Sequence, residues 1–358
     1  MSAGDVARWA EVHRLAVAGQ QQAIARGVGA RVSAVWLRNS RFADVVALSW
    51  QTLTLGPDAT SLNYLGQALS EIGQPQQALA CFEQALPIRR EAGDRAGEAT
   101  TLNNIGSVYD RMGDRRQALA YYHQALPIRR EARDRAGEAT TLNNIGHVYD
   151  GLGDRKRALA YYHQALPIRR EARDRVGEAS TLNNIGSVYN GLGDRKRALA
   201  YYQQALPIMR EVGDRVGEAA TLNNIGHVNN ELGDRKQALA YYQQALPITR
   251  EVGSRAGEAT TLNNIGLVYD GLGDQKLALA YYQQALIMLR EVGNRAAEAV
   301  TRFNVAMIHR AYGNLDEAIR ELELVVELDR QVEHPDLASD TAVLEHVRQE
   351  RAEGPESQ

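Results

Sequence analysis

Small and apolar side chains recur along this chain in steps of three and four, most clearly as Leu102, Ile105, Gly106, Tyr109 and Met112. That spacing places them on one stripe of a helix. Beyond Gly113 and Asp114, a second run of Ala118, Leu119, Tyr122, Ala125 and Leu126 has the same spacing. The glycine can adopt the left-handed conformation that ends a helix, and the aspartate can accept the free amides that begin the next one. The pattern predicts a hairpin of two helices, A then B, with B ending near Asp134, where another cap opens the following helix A.

The hairpin repeats every forty residues. The phrase beginning Thr101-Leu102-Asn103-Asn104-Ile105-Gly106 returns at Thr141, Thr181, Thr221 and Thr261. A period of this length predicts a solenoid, in which each unit buries its apolar face against its neighbours. Comparing copies within the chain tests the assignment. One cap position reads Asp94, Asp134, Asp174, Asp214, Ser254 and Asn294, and the other reads Asp114, Asp154, Asp194, Asp234, Asp274 and Asn314. All three residue types are good N-caps. The turn glycine recurs as Gly73, Gly113, Gly153, Gly193, Gly233, Gly273 and Gly313.

Two features run against helical propensity. Gly106, Gly146, Gly186, Gly226 and Gly266 fall in the middle of helix A, where glycine costs about 1 kcal/mol relative to alanine. Close approach of helix B is the expected compensation, and Ala306 in the last unit points to small size as the requirement. Pro87, Pro127, Pro167, Pro207 and Pro247 fall late in helix B and predict a bend or an early end. Ile287 replaces proline in one unit, whose helix B should run straighter.

The positions Leu102, Ile105-Gly106, Tyr109, Ala118, Tyr122 and Ala125, recurring together in six successive units, resemble the tetratricopeptide repeat. The period is six residues longer than the common thirty-four, and the family's closing proline is not at Arg130. The longer form is similar to the repeats of kinesin light chains, of cell-polarity adaptors and of bacterial signalling ATPases of the STAND class, the phrase Gln124 to Glu131 most resembling the last. The resemblance implies an all-α, right-handed superhelical solenoid of antiparallel helix pairs. The expected organisation is a leading helix and degenerate unit over 1–59, the array over 60–334, and a capping helix with a frayed tail, Arg351 to Gln358, over 335–358. Val6, Trp9, Val12 and Leu15 are the expected buried face of the leading helix. Leu337 to Val347 read as the closing helix.

The resemblance also implies that the A helices line a concave groove. It assigns groove-facing roles to Thr100, Asn103, Asn104, Ser107, Asp110 and Arg111 and to their counterparts. The asparagine pairs return as Asn143 and Asn144, Asn183 and Asn184, Asn223 and Asn224, and Asn263 and Asn264, with Asn304 keeping only the second. An asparagine amide can pair with both the N–H and the C=O of an extended peptide, so a ladder of amides could grip a backbone. Equally, the amides could bond to neighbouring A helices and fix the pitch. Selectivity would then fall to the variable positions, Ser107, His147, Ser187, His227, Leu267 and Met307, with Asp110, Asp150 and Asp270 giving a neutral to acidic lining. Such a lining favours a basic or neutral peptide over an acidic one.

Charge and composition narrow the alternatives. With 41 basic and 44 acidic side chains interspersed, the chain carries no large field to draw nucleic acid or an anionic membrane. No apolar stretch approaches the ~18 residues of a transmembrane helix, so a cytoplasmic protein is expected. Cys81, the single cysteine, stands where later units have tyrosine and reads as a buried thiol. His147 and His227, two units apart, lack the further ligands of a metal site, and no cofactor is implied. No phosphate loop, nucleophile with its base, or carboxylate pair outside the caps suggests an enzyme. The expected function is a non-catalytic scaffold that binds an extended peptide or partner segment. The alternatives are the sensor module of a STAND-type ATPase or transcription regulator, and a self-assembling solenoid that associates through its terminal units.

Overall fold

The computed structural model describes residues 3–353 and is helical throughout, with no strand among the described residues. The chain divides between Gly177 and Glu178 into two compact units. The first contains α1 (Ala3–Ala18), α2 (Gln22–Arg38), α3 (Phe42–Leu53), α4 (Ala59–Glu71), α5 (Pro75–Glu91), α6 (Arg95–Arg111), α7 (Arg115–Glu131), α8 (Arg135–Gly151) and α9 (Arg155–Glu171). The second opens with α10 (Arg175–Gly191), whose first residues precede the division. It continues with α11 (Arg195–Val212), α12 (Arg215–Glu231), α13 (Arg235–Glu251), α14 (Arg255–Gly271), α15 (Gln275–Glu291), α16 (Arg295–Ala311), α17 (Leu315–Val332) and α18 (Leu337–Glu353). From α4 onward, even-numbered helices are A and odd-numbered are B, up to α17.

The caps form as their residue types require. Asp94 and Asp134 accept the amides of Gly97 and Gly137 at 2.9 Å, and Ser254 accepts that of Gly257 at 3.2 Å. Asn314 is the exception and makes no side-chain cap bond. Gly113 and its counterparts hold φ between +74° and +83°. The other turn, from B to A, also needs the left-handed region. Glycine supplies it at Gly93, Gly213, Gly253 and Gly293, but Arg133 and Arg173 adopt φ of 54° and 52° in the corresponding places.

Mid-helix glycines mark the tightest crossing in each hairpin. A Cβ on Gly106 would lie 2.7 Å from Cε1 of Tyr122, and Gly66, Gly146, Gly186, Gly226 and Gly266 meet Phe82, Tyr162, Tyr202, Tyr242 and Tyr282 in the same way. Where Ala306 replaces glycine, Leu322 replaces the aromatic ring, and both are fully buried. The exchange pairs the larger residue on helix A with the slimmer one on helix B.

The prolines do not end helix B. Helices α7, α9, α11 and α13 run on past Pro127, Pro167, Pro207 and Pro247 to Glu131, Glu171, Val212 and Glu251, as far as α15 runs with Ile287. Each proline is on the exposed face, so the carbonyl it leaves unbonded can be satisfied by water.

Other expectations shift at the edges. In α1 the buried residues are Val6, His13 and Ala16, whereas Val12 and Leu15 are 39% and 56% exposed. Steps of three drift off a stripe that advances 3.6 residues per turn, and His13 takes the inward place, its Nε2 2.8 Å from Thr52 Oγ1. Met112 is also exposed, because it sits at the C-cap of α6 and not within the stripe. Its counterparts Leu152, Leu192, Leu232 and Leu272 are exposed likewise. The closing helix extends beyond Val347 through Arg351, which pairs with Asp316 at 2.7 Å; the rest of the expected tail, 354–358, lies outside the described residues. Cys81 is buried, which pushes its thiol up to about 11.

Candidate functional site

The asparagine pairs are built into the joints between successive A helices. Asn104 Nδ2 on α6 donates to Asn63 Oδ1 on α4 at 3.0 Å, and Asn144 on α8 donates to Asn103 Oδ1 at 3.3 Å. Thr141 Oγ1 donates to the same Asn103 oxygen at 3.2 Å. In the second unit, Thr221 and Asn224 on α12 bond Asn183 Oδ1 on α10 identically. At these three joints the second member of a pair donates to the first member one repeat earlier. At Asn223 the amide is turned, so that Nδ2 donates to Thr261 Oγ1 at 2.9 Å and Oδ1 is buried without a partner. Thr301 restores the pattern on Asn263 Oδ1 at 3.1 Å. Asn143, Asn184, Asn264 and Asn304 are half-buried at the equivalent places.

One turn further along the A helices stand the variable side chains. His147 and Ser187 are exposed, and Ser107 and His227 are half-buried. His147 Nε2 lies 3.8 Å from Asp110 Oδ2 on the preceding A helix, and His227 lies 3.6 Å from Glu231. Ser107 hydrogen-bonds the hydroxyl of Tyr122, which burial pushes far above its ordinary pKa. The acids beneath are poorly solvated. Burial holds the Asp150 carboxyl above its ordinary value against the opposing pull of Arg155 and His147, and burial raises Asp270 as well. In the first unit this face deepens into a cavity of about 370 Å³, lined by Leu37, Phe42, Gln67, Asn104, Ser107 and Arg111 among others. Arg111 is anchored there by Glu71 at 2.7 Å and by Ser70.

Two networks had no counterpart in the sequence reading. Glu98 is buried between Arg90 at 2.8 Å and Arg95 at 2.5 Å, and Arg95 continues to Glu131. Burial acts to raise the Glu98 carboxyl, but the two arginines outweigh it and hold it below the ordinary range. The chain of ions recurs through Glu138, Glu218 and Glu258. A second device is a clamp late in helix B. Arg129 pairs with the cap Asp134 of the next helix and donates to Thr100 Oγ1 of the previous one at 3.0 Å. Arg89 and Arg169 do the same with Asp94 and Thr60, and with Asp174 and Thr140. Both devices were visible only as a recurring Arg-Arg-Glu phrase, whose partners lie in adjoining helices.

The model of the tetratricopeptide repeat matches overlapping segments from 57–131 through 257–331. The chain belongs to the tetratricopeptide repeat family. Among solved structures, this repeat chain is similar to a Signal Transduction ATPase with Numerous Domains carrying a tetratricopeptide repeat sensor, from Pyrococcus horikoshii. The likeness has a TM-score of 0.68 at 16% identity over 90% of this chain, and covers 49% of that one. It is also similar to the apo form of RapI, with a TM-score of 0.65 at 20% identity over 77% of this chain and 98% of that one. A Rap protein complexed with competence and sporulation factor aligns over 98% of this chain and 99% of its own, with a TM-score of 0.59 and 15% identity. At these identities the likeness is one of fold. No curated protein matches.

The described residues contain no group of three or more His, Cys, Asp or Glu side chains placed to hold a metal ion. No described helix is long and apolar enough to cross a membrane.

Proposed function

We propose that this repeat protein is a non-catalytic interaction scaffold whose A-helix face binds an extended, basic or neutral peptide segment. The observation that carries the reading is the division of labour on that face. Invariant asparagines are tied to one another, while Ser107, His147, Ser187 and His227 differ at one exposed or half-exposed position. The bonds at Asn104, Asn144 and Asn224 use Nδ2 and leave Oδ1, an acceptor, for a peptide N–H. Asp150 and Asp270, held above their ordinary pKa by burial, would be relieved by a cationic side chain. A poorly solvated carboxylate that its neighbours do not fully compensate reduces stability, and a cationic ligand adds compensation.

A fluorescent decapeptide of alternating lysine and serine, and its glutamate-serine counterpart, would be titrated against the full chain. Binding of the lysine peptide, weakened about tenfold in the combined Asp110→Asn, Asp150→Asn and Asp270→Asn variant, is the expected result. Equal affinity for the glutamate peptide, or no effect of the variant, refutes the basic preference.

The likeness to a STAND protein with a repeat sensor supports a narrower version, in which the bound segment is a trigger read by an effector. An ATPase reading frame beside or fused to this one would favour it.

A further inference from the structure

One position late in helix B is filled by the chain itself in every repeat but one. Arg89, Arg129 and Arg169 occupy it in the first unit, and Met209 and Leu289 occupy it in the second. Each lies over a small residue in the first turn of the next helix A. A Cβ on Gly137 would lie 2.7 Å from Arg129 Cδ, and one on Gly217 would lie 2.7 Å from the Met209 sulfur. At Gly257 the corresponding side chain is Thr249, whose Cγ2 stays 3.4 Å away. The shorter side chain leaves a cavity of about 230 Å³, lined by Val216, Ala220, Asn223, Thr249, Val252 and Thr260 among others. It opens beside the asparagine pair of α12 and so lies on the A-helix face.

The lining identifies the occupant. A guanidinium there would need the two partners that hold Arg129, the cap carboxylate Asp134 and the hydroxyl of Thr100. Here Ser254 stands for the aspartate and Ala220 for the threonine, so neither the carboxylate charge nor the threonine hydroxyl is present. What remains is mainly apolar, with Asn223 Oδ1 an unpartnered acceptor among the lining residues, and has the length of the side chains that fill the neighbouring copies. We infer that this cavity is an anchor pocket for a methionine or leucine side chain of the bound peptide, the missing equivalent of Met209 and Leu289. It rests on the peptide-binding reading of the face and adds a specificity to it: a basic or neutral segment with one apolar anchor. Burying the anchor removes about three heavy atoms' worth of apolar surface from water relative to alanine, enough for about a tenfold preference.

The full chain, labelled at its Val and Thr methyl groups, would be titrated with N-acetyl-methionine N-methylamide and, separately, with the arginine analogue. Saturable shifts at Val216, Thr249 and Val252 are expected with the methionine probe alone. Thr249→Met supplies the side chain from within the fold, as Met209 does, and should abolish those shifts while helicity and the melting temperature are kept or raised. Absence of saturable shifts in the wild type, equal shifts with the arginine probe, or shifts that persist in Thr249→Met would each overturn the pocket. The lysine-serine decapeptide, run in parallel, separates this outcome from failure of the face as a whole. A version with one central serine changed to methionine should bind the wild type about tenfold tighter than a version with the same serine changed to alanine, and Thr249→Met should show no preference between the two. Loss of probe binding with retained peptide binding would refute the pocket and spare the face.

Discussion

Gly106 and Tyr122 touch so closely that a single methyl on the glycine would come within 2.7 Å of the ring. Ala306 and Leu322 solve the same crossing with the bulk moved from one helix to the other. Gly106→Ala alone should destabilise by about 1–3 kcal/mol, the usual range for overpacking, even though alanine is the better helix former. Adding Tyr122→Leu should recover part of that loss, so the two changes are strongly non-additive in a thermal or urea denaturation cycle. Additive losses would show that ring thickness is not the constraint.

Arg133 and Arg173 hold left-handed backbone angles where four other repeats have glycine. Both side chains are exposed. Arg133→Gly and Arg173→Gly should each stabilise by up to about 1 kcal/mol, because an L side chain is disfavoured in that region. The expected sign is a higher melting temperature, against the general rule that glycine loosens a chain.

Asn103 accepts from both Thr141 and Asn144, so Asn103→Ala strands two donors at once. A loss of about 1–3 kcal/mol is expected, and Asn144→Ala, which removes one donor and leaves Thr141 to satisfy the oxygen, should lose less. Hydrogen exchange of α6 and α8 would read the difference. Equal losses would mean that the shared oxygen is not the hub.

Burial, with Asp329 and Asp336 close by, raises the Asp340 carboxyl to about 6. The folded protein therefore keeps a proton that the unfolded chain gives up near the ordinary value of 3.8. Stability contributed by this site is present in acid and is lost as pH rises from about 4 to about 6. Asp340→Asn should accordingly be more stable than the wild type above pH 6, with the gap closing toward pH 4. Glu98 has the opposite sign: its lowered carboxyl contributes above the ordinary value of 4.5, and that contribution fades as the pH falls below it. Melting temperatures of Asp340→Asn and Glu98→Gln across this range should approach that of the wild type from opposite sides as the pH falls, the first from above and the second from below.

The hairpin, its caps and the glycine crossings were legible because each is decided within a few residues or by comparing copies. Asp134 caps whatever helix follows it, and Gly106 demands explanation in any helix. The leading helix misled because Val12 and Leu15 are apolar and three residues apart, while the residue that turns inward, His13, is polar and is satisfied by Thr52, thirty-nine residues away. Pro127 misled because sequence does not show that its face meets water. The asparagine positions were legible as a repeating set, yet which amide atoms are free depends on bonds such as Asn144 to Asn103 across a whole repeat. The pocket at Thr249 is an absence, visible only when the side chains that fill its counterparts are seen in place.

The bond from Asn104 to Asn63 joins residues forty-one positions apart, and the bond from Asn144 to Asn103 spans the same distance. If residues 101–140 were excised, Asn144 would meet Asn63 with the same atoms, and the cap at Asp94 would be followed by the helix that now follows Asp134, so the asparagine joint would keep its chemistry. Recombination between near-identical coding segments can therefore lengthen or shorten this protein by whole units while keeping that joint. The number of units becomes an adjustable dimension of the A-helix face.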